Sequence, residues 1–251
     1  MPDAIFEEPR LARVYDALDP DRSDLDVYAA IVDELGARNV LDIGCGTGTF
    51  ACLLALRGIG ATGVDPALAS LDVARGKPGA DRVRWLYGDA TTLPPIQVDL
   101  AVMTANVAQV FLTDEEWTST LRGIQAALRP RGHLVFETRD PARQIWREWN
   151  RTDSYRRVEV PAVGVVETWH EVTDVRDDLV SFRTTISFPD DGSVCESQST
   201  LRFRSRDEVA ESLAATGFDL REVRDAPDRP GRELVFLARR NGPDIVPANA
   251  R

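Results

Sequence analysis

From residue 39 to residue 139 short apolar runs alternate with stretches of helical periodicity, and this alternation limits the fold more than any other feature. Strands are predicted at 40–43, 60–64, 82–87, 99–103 and 132–137, and helices at 49–57, 66–74 and 114–128. Strands that follow one another through helices are joined by crossover connections and lie parallel. The segment therefore predicts an α/β fold with a doubly wound, Rossmann-like sheet.

The flanking segments depart from this pattern. Residues 1–38 have helical periodicity and are predicted to form an N-terminal helical lid, whereas 140–205 alternate polar and apolar residues between turn signals. The second pattern predicts an antiparallel β-meander, inserted into the α/β frame as a substrate cover. Residues 206–240 are predicted to complete the core that 39–139 begins, and 241–251 to form a flexible tail.

The charge balance argues against several kinds of partner. Lys and Arg number 30 and Asp and Glu 41, so the net charge is −11, which repels phosphate backbones at long range. We therefore expect no nucleic-acid partner and no membrane partner, and the apolar stretch Ala51–Leu56 is too short to span a bilayer. The edge strands of the meander could pair two subunits as a homodimer.

Cysteines and histidines are few. Cys45, Cys52 and Cys195 are too scattered for a disulfide framework or a zinc site, and with no apolar leader they favour the reducing cytoplasm. The two histidines, His133 and His170, leave little room for a histidine metal centre, so no metal is expected.

A glycine-rich turn joins the first strand to the first core helix. Gly44, Gly46 and Gly48 alternate with Cys45 and Thr47, so the backbone can turn tightly and a ligand can approach the amides at the helix start. The spacing Gly-x-Gly-x-Gly differs from the dinucleotide fingerprint Gly-x-Gly-x-x-Gly, and the Lys-Ser/Thr ending of a phosphate P-loop is absent.

Acidic residues follow the next two strands. Asp65 ends the second strand, where its carboxylate could accept both hydroxyls of a ribose or cap the following helix. Asp89 ends the third strand, where its carboxylate could bind the amine of an adenine and the Ala90 amide a ring nitrogen, although Gly88-Asp89-Ala90 alone is a turn signal. The glycine turn and both acids lie at carboxyl ends of strands, where open α/β sheets bind ligands.

Taken in order, these motifs resemble those of class I S-adenosylmethionine-dependent methyltransferases. The matching segments are Val40–Gly48, Gly63–Pro66, Gly88–Ala90, the strand at 99–103 and the turn Leu128-Arg129-Pro130-Arg131-Gly132. The resemblance covers 39–139 and, more weakly, 206–240. It implies a seven-stranded sheet whose seventh strand lies antiparallel between the fifth and sixth. With its insertion after strand five, the chain is similar to small-molecule methyltransferases, among them amino-sugar and amino-acid N-methyltransferases.

The resemblance also implies a cofactor, S-adenosylmethionine, with S-adenosylhomocysteine as its product. Gly44, Cys45 and Gly46 would line its methionine part, Asp42 would support its amino group, and Asp65 would hold its ribose. The full set of implied cofactor-binding residues is Asp42, Gly44, Cys45, Gly46, Asp65, Pro66, Asp89, Ala90 and Thr104.

Candidates on the acceptor side each have a second interpretation. Tyr15 could cover the cofactor as a lid residue or pack between helices, and His170 could be a catalytic base or a surface histidine. Arg139 could hold an anionic substrate group or pair with a neighbouring carboxylate. Asn106, Phe111 and Trp169 are further substrate-binding candidates, although aromatic residues at such spacings are more often core.

Three functions are consistent with these features. The first is transfer of a methyl group to a small-molecule acceptor by direct in-line attack, which depends on proximity and orientation. Nitrogen is slightly favoured over oxygen as the acceptor atom, because no base or metal site for activating a hydroxyl is evident. The second is an NAD-dependent oxidoreductase, which the glycine spacing and the missing Tyr-x-x-x-Lys pair disfavour. The third is a non-catalytic S-adenosylmethionine-binding module.

Overall fold

The glycine-rich segment lies at the centre of a seven-stranded sheet in the computed structural model, which describes residues 2–242. The strands are β1 (Asn39–Ile43), β2 (Gly60–Asp65), β3 (Val83–Tyr87), β4 (Val98–Met103), β5 (Leu128–Arg139), β6 (Arg156–Val160), β7 (Gly164–Arg176), β8 (Leu179–Phe188), β9 (Ser193–Arg202), β10 (Phe218–Asp225) and β11 (Glu233–Arg240). The α-helices are α1 (Ala4–Glu7), α2 (Pro9–Leu18), α3 (Asp24–Glu34), α4 (Thr49–Leu56), α5 (Leu68–Arg75), α6 (Asp114–Ala127), α7 (Arg151–Ser154) and α8 (Arg206–Ala215).

The large sheet has the strand order β10-β11-β5-β4-β1-β2-β3. Strands β1 to β5 pair in parallel, while β11 runs antiparallel to both β5 and β10. The prediction of a seventh, antiparallel strand between the fifth and sixth is therefore confirmed. Because the order reverses between β1 and β4, the loops after these strands diverge to opposite faces and leave a crevice at their carboxyl ends.

Two apolar layers cover the faces of this sheet. On one face Val40, Leu100 and Val135 pack with α3 and α4, and on the other Leu41, Met103 and Phe136 pack with α6 and α8. Since neighbouring residues of a strand point to opposite faces, the almost continuous apolar sequences of β1, β4 and β5 fill both layers at once. The layers fix the strand ends that carry the glycine turn.

The insertion forms a separate antiparallel sheet in the order β6-β7-β8-β9, as the alternating pattern predicts. The N-terminal helices share a small core with it: Leu11, Val14 and Leu18 pack against Ile186 and Phe188. Predicted pairing of two subunits along its edge strands stays a prediction.

Two details differ from the sequence expectations. Strand β5 begins at Leu128 and not at 132, because Leu128 already pairs with Val98 of β4. The connection from β5 to β6, predicted as part of the meander, contains two 3-10 turns and α7. Most of the predicted tail, 243–251, lies outside the described residues. None of the helices within residues 2–242 is long and apolar enough to cross a membrane.

Gly48 is required at the start of α4 for two reasons. Its φ of 76° is in the left-handed region, and a Cβ there would lie 2.4 Å from Trp85 Cη2 and 2.7 Å from Ala74 Cβ. Gly46 has a φ of 51°, yet a Cβ at that position would meet nothing within 4 Å. Both glycines thus have left-handed backbones, but a side chain would clash only at position 48.

We expect Gly48→Ala to lower the free energy of unfolding by about 2–4 kcal/mol, since it adds overpacking to left-handed strain. Gly46→Ala, the matched control, should lower it by only about 1–2 kcal/mol from strain alone. Urea denaturation of both variants measures the difference. Equal losses would show that the contact with Trp85 and Ala74 is not limiting.

Candidate functional site

The glycine turn is fastened to the end of β2. The Gly44 and Cys45 amides donate to the Val64 carbonyl at 2.9 and 3.2 Å. The Gly46 amide donates to Asp65 Oδ2 at 2.7 Å, and the Ala67 amide donates to Asp65 Oδ1 at 2.8 Å. The carboxylate of Asp65 therefore bridges the turn after β1 and the turn after β2, which fixes the floor of the crevice.

Asp65 is held as a buried carboxylate. Burial raises its pKa, and the two amide hydrogen bonds partly offset that effect because they stabilise the charged form. Two roles were predicted for Asp65, helix capping and ribose binding. Its hydrogen bond with the Ala67 amide supports the turn before α5, and its hydrogen bond with the Gly46 amide orients the carboxylate into the crevice. A carboxylate fixed in this way can accept hydrogen bonds from a diol.

Asp42 lies beneath the glycine turn and is 1% exposed. Its Oδ1 atom is buried and has no hydrogen-bond partner among the described residues. Burial, together with repulsion from Asp65, raises its pKa to about 7. A buried acceptor of this kind is costly unless a donor reaches it, and a cationic donor would bring its pKa down again.

The turn after β3 is more exposed. Asp89 Oδ1 accepts hydrogen bonds from the Thr91 amide at 2.8 Å and the Thr91 hydroxyl at 2.6 Å, so the carboxylate organises its own turn. The next residue, Ala90, is buried, and Pro66 after β2 is exposed beside the crevice. These residues lie at neighbouring strand ends, since β2 and β3 are paired up to Asp65 and Tyr87.

The loop after β4 has an unusual backbone. Ala105 and Asn106 have φ angles of 55° and 61°, two successive left-handed conformations in residues other than glycine. Such strain persists only where surrounding contacts hold it, and it is concentrated at functional sites. The preceding residue, Thr104, is buried, and a Cβ on Gly44 would lie 2.7 Å from the Val107 side chain. The loop thus contacts the glycine turn directly.

A buried polar network holds that loop. The Asn106 amide donates to Glu137 Oε1 at 3.1 Å, and its Nδ2 donates to Glu233 Oε1 at 3.1 Å. Tyr28 of α3 donates to Glu137 Oε2, and Arg229 donates to Glu233 Oε1 at 2.9 Å. Burial and repulsion from Glu233 raise the pKa of Glu137 to about 7. The strained loop is therefore tied to β5, β11 and α3.

Arg139 and His170 lie on the far side of the crevice. Arg139 Nη1 donates to Gln109 Oε1 at 3.1 Å, its Nε lies 3.9 Å from Glu233 Oε1, and its guanidinium lies 5.5 Å from the centre of the Trp149 ring. His170 Nδ1 is 2.9 Å from Thr184 Oγ1. Its pKa is lowered by burial and by nearby arginines, among them Arg139, which favours the neutral imidazole.

The N-terminal helix α2 touches the glycine turn. Thr47 Oγ1 donates to Asp16 Oδ1 at 2.6 Å, and Lys77 Nζ lies 2.5 Å from Asp16 Oδ2. Tyr15, the neighbour of Asp16, packs edge-on against Phe6 with ring centres 5.3 Å apart. Burial raises its pKa, with the charges of Asp16 and Arg139 among the smaller influences. The segment predicted as a lid is thus attached to the crevice through Asp16.

Two predicted substrate residues lie elsewhere. Phe111 packs on Trp117 with ring centres 5.8 Å apart, within the core beneath α6. Trp169 stacks on Tyr155 and donates to Glu171 Oε2, on the face of β7 opposite His170, because adjacent strand residues point in opposite directions. The substrate-binding roles of Phe111 and Trp169 stay predictions.

Several residues of the site were missing from the sequence expectations. Glu137, Glu233 and Gln109 contact the predicted residues Asn106 and Arg139, and Tyr28 donates to Glu137. One signal could have been used: Glu137 is a charged residue directly after the apolar run Leu134–Phe136. Within residues 2–242 no group of three or more His, Cys, Asp or Glu side chains could hold a metal ion.

Comparison with known families identifies the core. Residues 40–132 match the family model described as a methyltransferase domain. The match covers less than half of the chain, and we call the matched range the methyltransferase domain. The matched range of the methyltransferase domain runs from β1 to the beginning of β5, and so includes the glycine turn, Asp65, Asp89 and the strained loop.

Curated relatives of the methyltransferase domain share part of the chain. The cypemycin N-terminal methyltransferase of a Streptomyces species is 35% identical over 109 residues, 43% of this chain and 44% of that protein. The malonyl-(acyl-carrier protein) O-methyltransferase of Serratia marcescens is 28% identical over 184 residues, 66% of this chain and 68% of that protein. The chain thus spans less than half the length of the first of these relatives.

Solved structures show the same fold over nearly the whole chain. An amino pentose methyltransferase from Micromonospora echinaspora has a TM-score of 0.72 at 22% identity, covering 91% of this chain and 97% of that one. A sugar N-methyltransferase from a Streptoalloteichus species has a TM-score of 0.73 at 19% identity, covering 91% and 93%. The fold shared with these structures therefore includes most of the chain outside residues 40–132.

The crevice fits the cofactor of this family. The unpartnered Asp42 Oδ1 suits an ammonium group, the Asp65 carboxylate suits a ribose diol, and Gly46 leaves open space where a side chain would stand. These residues suit the predicted cofactor, S-adenosylmethionine.

We expect the Glu137→Gln variant to become more stable relative to the wild type as pH rises. A folded-state pKa near 7 against an unfolded value near 4.5 means that the wild type loses stability as pH rises from about 4.5 through 7. The neutral amide has no such dependence, so the difference should shift by roughly 1–3 kcal/mol between pH 5 and 8.

Urea denaturation at several pH values measures this shift, with Glu115→Gln on the exposed face of α6 as the control. A constant difference between wild type and Glu137→Gln across that range would show that Glu137 has an ordinary pKa in the folded protein.

Proposed function

We propose that the chain transfers a methyl group from S-adenosylmethionine to a small-molecule acceptor, with nitrogen favoured over oxygen as the acceptor atom. One observation carries this proposal: the glycine turn of the methyltransferase domain is fastened to Asp65 directly above the unpartnered, buried Asp42. Bound S-adenosylmethionine would supply an activated methyl group, so the chain itself needs chiefly to bind and align the two reactants.

The proposed cofactor residues follow from the geometry of the strand ends. Asp42 would accept the amino group, and Asp65 would bind the ribose hydroxyls. Asp89 and Ala90 would hold the adenine, while Gly44, Cys45, Gly46 and Thr104 would enclose the methionine part. Burial of Asp42 strengthens its interaction with a cation, because charges attract more strongly in a low dielectric. Pro66 would border the ribose site.

The proposed acceptor side is formed by Arg139, His170 and Tyr15, with Trp149 beside them. A nitrogen acceptor must be unprotonated to attack, and a nearby guanidinium lowers the pKa of an amine by repelling its charged form. Arg139 supplies such a charge, and its carboxylate contact to Glu233 is long, at 3.9 Å. Proteins similar to this chain include both a sugar N-methyltransferase and a malonyl-(acyl-carrier protein) O-methyltransferase.

The flanking segments would control access. Residues 1–38 are proposed as a lid, attached to the cofactor side by Asp16 and to the inserted sheet by the hydrogen bond from the Ile5 amide to Ser197 Oγ. Residues 140–205 are proposed as the substrate cover over the core formed by 39–139 and 206–240. A cytoplasmic location is proposed from the three free cysteines, which suit a reducing compartment.

Asp65→Ala should weaken binding of S-adenosylhomocysteine at least tenfold, about 1.4 kcal/mol, because two ribose hydroxyls lose their acceptor. Calorimetric titration gives the affinity, and the midpoint of thermal unfolding confirms that the variant is folded. Asp72→Ala, an exposed aspartate on the outside of α5, is the control and should bind like the wild type. An unchanged affinity would remove Asp65 from the ribose role.

His170→Asn should lower kcat more than tenfold while leaving the affinity for S-adenosylhomocysteine unchanged, if His170 removes a proton from the acceptor. The acid limb of the kcat profile, expected below pH 6.5 from the lowered pKa of His170, should disappear with it. The matched control is His133→Asn, because His133 is the only other histidine and lies at the far end of β5. Unchanged kcat would make His170 structural.

The function itself is tested by titrating the wild type with S-adenosylhomocysteine and with NAD, and by screening amines and alcohols for S-adenosylhomocysteine formation. Binding of S-adenosylhomocysteine alone, with turnover of an amine, supports the proposal. Preference for NAD would overturn the proposal, and turnover confined to alcohols would overturn the preference for nitrogen. Binding without turnover of any acceptor class would favour the non-catalytic module.

A further inference from the structure

The connection between β5 and β6 is positively charged within an acidic protein. From residue 140 to residue 157 there are five arginines and three acidic residues, whereas the whole chain has a net charge of −11. Two of the acids are bound to neighbouring donors: Glu148 to Arg232, and Asp153 to the Asn150 side-chain amide at 2.7 Å. The field around this connection is therefore positive and favours anions.

This connection forms one wall of a groove that the inserted sheet completes. Its lining includes Trp146, Arg147, Trp149, Arg151, Glu171 and Val172, and its volume is about 530 Å³, which suits a small organic ligand. We refer to it as the arginine groove. The Val172 amide donates to the Trp149 carbonyl at 3.0 Å, which ties the two walls together.

The charges inside the arginine groove are unbalanced. Neither Arg147 nor Arg151 has a carboxylate within 4.0 Å in the part of the chain from residue 2 to 242, and both are exposed. The one carboxylate in the lining, Glu171, accepts hydrogen bonds from Arg183 and from Trp169 on the outer face of the sheet. Its charge is therefore compensated by Arg183, while the Arg151 guanidinium lies 4.3 Å from the centre of the Trp169 ring. The lining thus has two guanidinium groups against one compensated carboxylate.

Aromatic rings give the groove a rigid base. Trp146 packs edge-on against Phe203 with ring centres 4.6 Å apart, and Trp149 packs on Phe182 with ring centres 4.7 Å apart. Such indole rings offer an apolar surface on which the planar or apolar part of a ligand can lie. Guanidinium groups bind carboxylates and phosphates with two parallel hydrogen bonds.

The groove is continuous with the acceptor side of the crevice. Trp149 lines the groove and also lies 5.5 Å from the Arg139 guanidinium, while Phe182, which packs on Trp149, lies 5.8 Å from the His170 ring. A ligand with its anionic part at Arg147 would thus extend past Trp149 toward Arg139 and His170. Arg151, which stacks on Trp169, would add its charge to that anionic part from the other face of β7.

We propose that the arginine groove is an anion subsite of the acceptor site, which binds a phosphate or carboxylate group carried by the methyl acceptor. The identity of the ligand as a methyl acceptor rests on the proposed function, whereas binding of an anion in the groove does not depend on that function. The anion subsite assigns the acceptor to the class of small molecules that carry an anionic group at some distance from the methylated atom.

The test uses two probes, inorganic pyrophosphate and indole-3-acetate, titrated into the full chain in an isothermal titration calorimeter. The double variant Arg147→Gln/Arg151→Gln should weaken binding of the preferred probe at least tenfold. The matched control Arg82→Gln/Arg84→Gln removes two exposed arginines at the opposite edge of the large sheet and should stay within twofold of the wild type. Preference for pyrophosphate assigns phosphate, and preference for indole-3-acetate assigns a carboxylate.

Failure to bind either probe, or equal losses in the two double variants, would overturn the subsite. Titration with S-adenosylhomocysteine separates this outcome from failure of the proposed function: Arg147→Gln/Arg151→Gln should keep the wild-type affinity. A wild type that binds the anions and not S-adenosylhomocysteine would overturn the methyltransferase proposal and leave the anion site standing. With a turned-over acceptor, the groove variant should raise KM for the acceptor more than it lowers kcat.

Discussion

The carboxylate of Asp65 is the contact on which the candidate site depends. By accepting hydrogen bonds from Gly46 and Ala67 it joins the ends of two parallel strands, and it does so only because the glycine turn can present an amide with a left-handed backbone. Asp65 and Asp42 are both buried, and burial raises the pKa of each carboxyl group. Repulsion from Asp65 raises the pKa of Asp42 further. The fold tolerates this repulsion at the place where a cationic ligand would relieve it.

A second buried carboxylate pair supports the opposite wall of the crevice. Glu137 of β5 and Glu233 of β11 each accept a hydrogen bond from Asn106. These contacts from two strands hold the strained backbone of the loop after β4. Tyr28 adds a contact from α3, which links the helices before the core to the loop beside the acceptor side. The strained loop packs against the glycine turn through Val107, so this network and the turn held by Asp65 support the same crevice.

The sequence predicted which strand ends meet at the crevice because its signals there are local. The glycine spacing, Asp65 and Asp89 each stand at the end of an apolar strand, and parallel strands bring such ends together. Asn106 was identified without its partners, since Tyr28, Glu137 and Glu233 are separated by about a hundred residues each and meet only in space. Period-two alternation could have separated His170 from Trp169, which are adjacent in sequence and therefore point to opposite faces of β7. The arginines after residue 140 lie in short turns without helical or strand periodicity, so the sequence pattern could not predict their positions.

The contact that attaches the proposed lid, residues 1–38, can be labelled chemically. Asp16 is held by the Thr47 hydroxyl and by the ammonium group of Lys77, and Lys77 is the only lysine of the chain. Acylation or reductive methylation of side-chain amines therefore has a single target, at the junction between α2 and the glycine turn. Isotope-labelled methyl groups placed there would give an NMR reporter of lid contact with no competing signal from another side-chain amine.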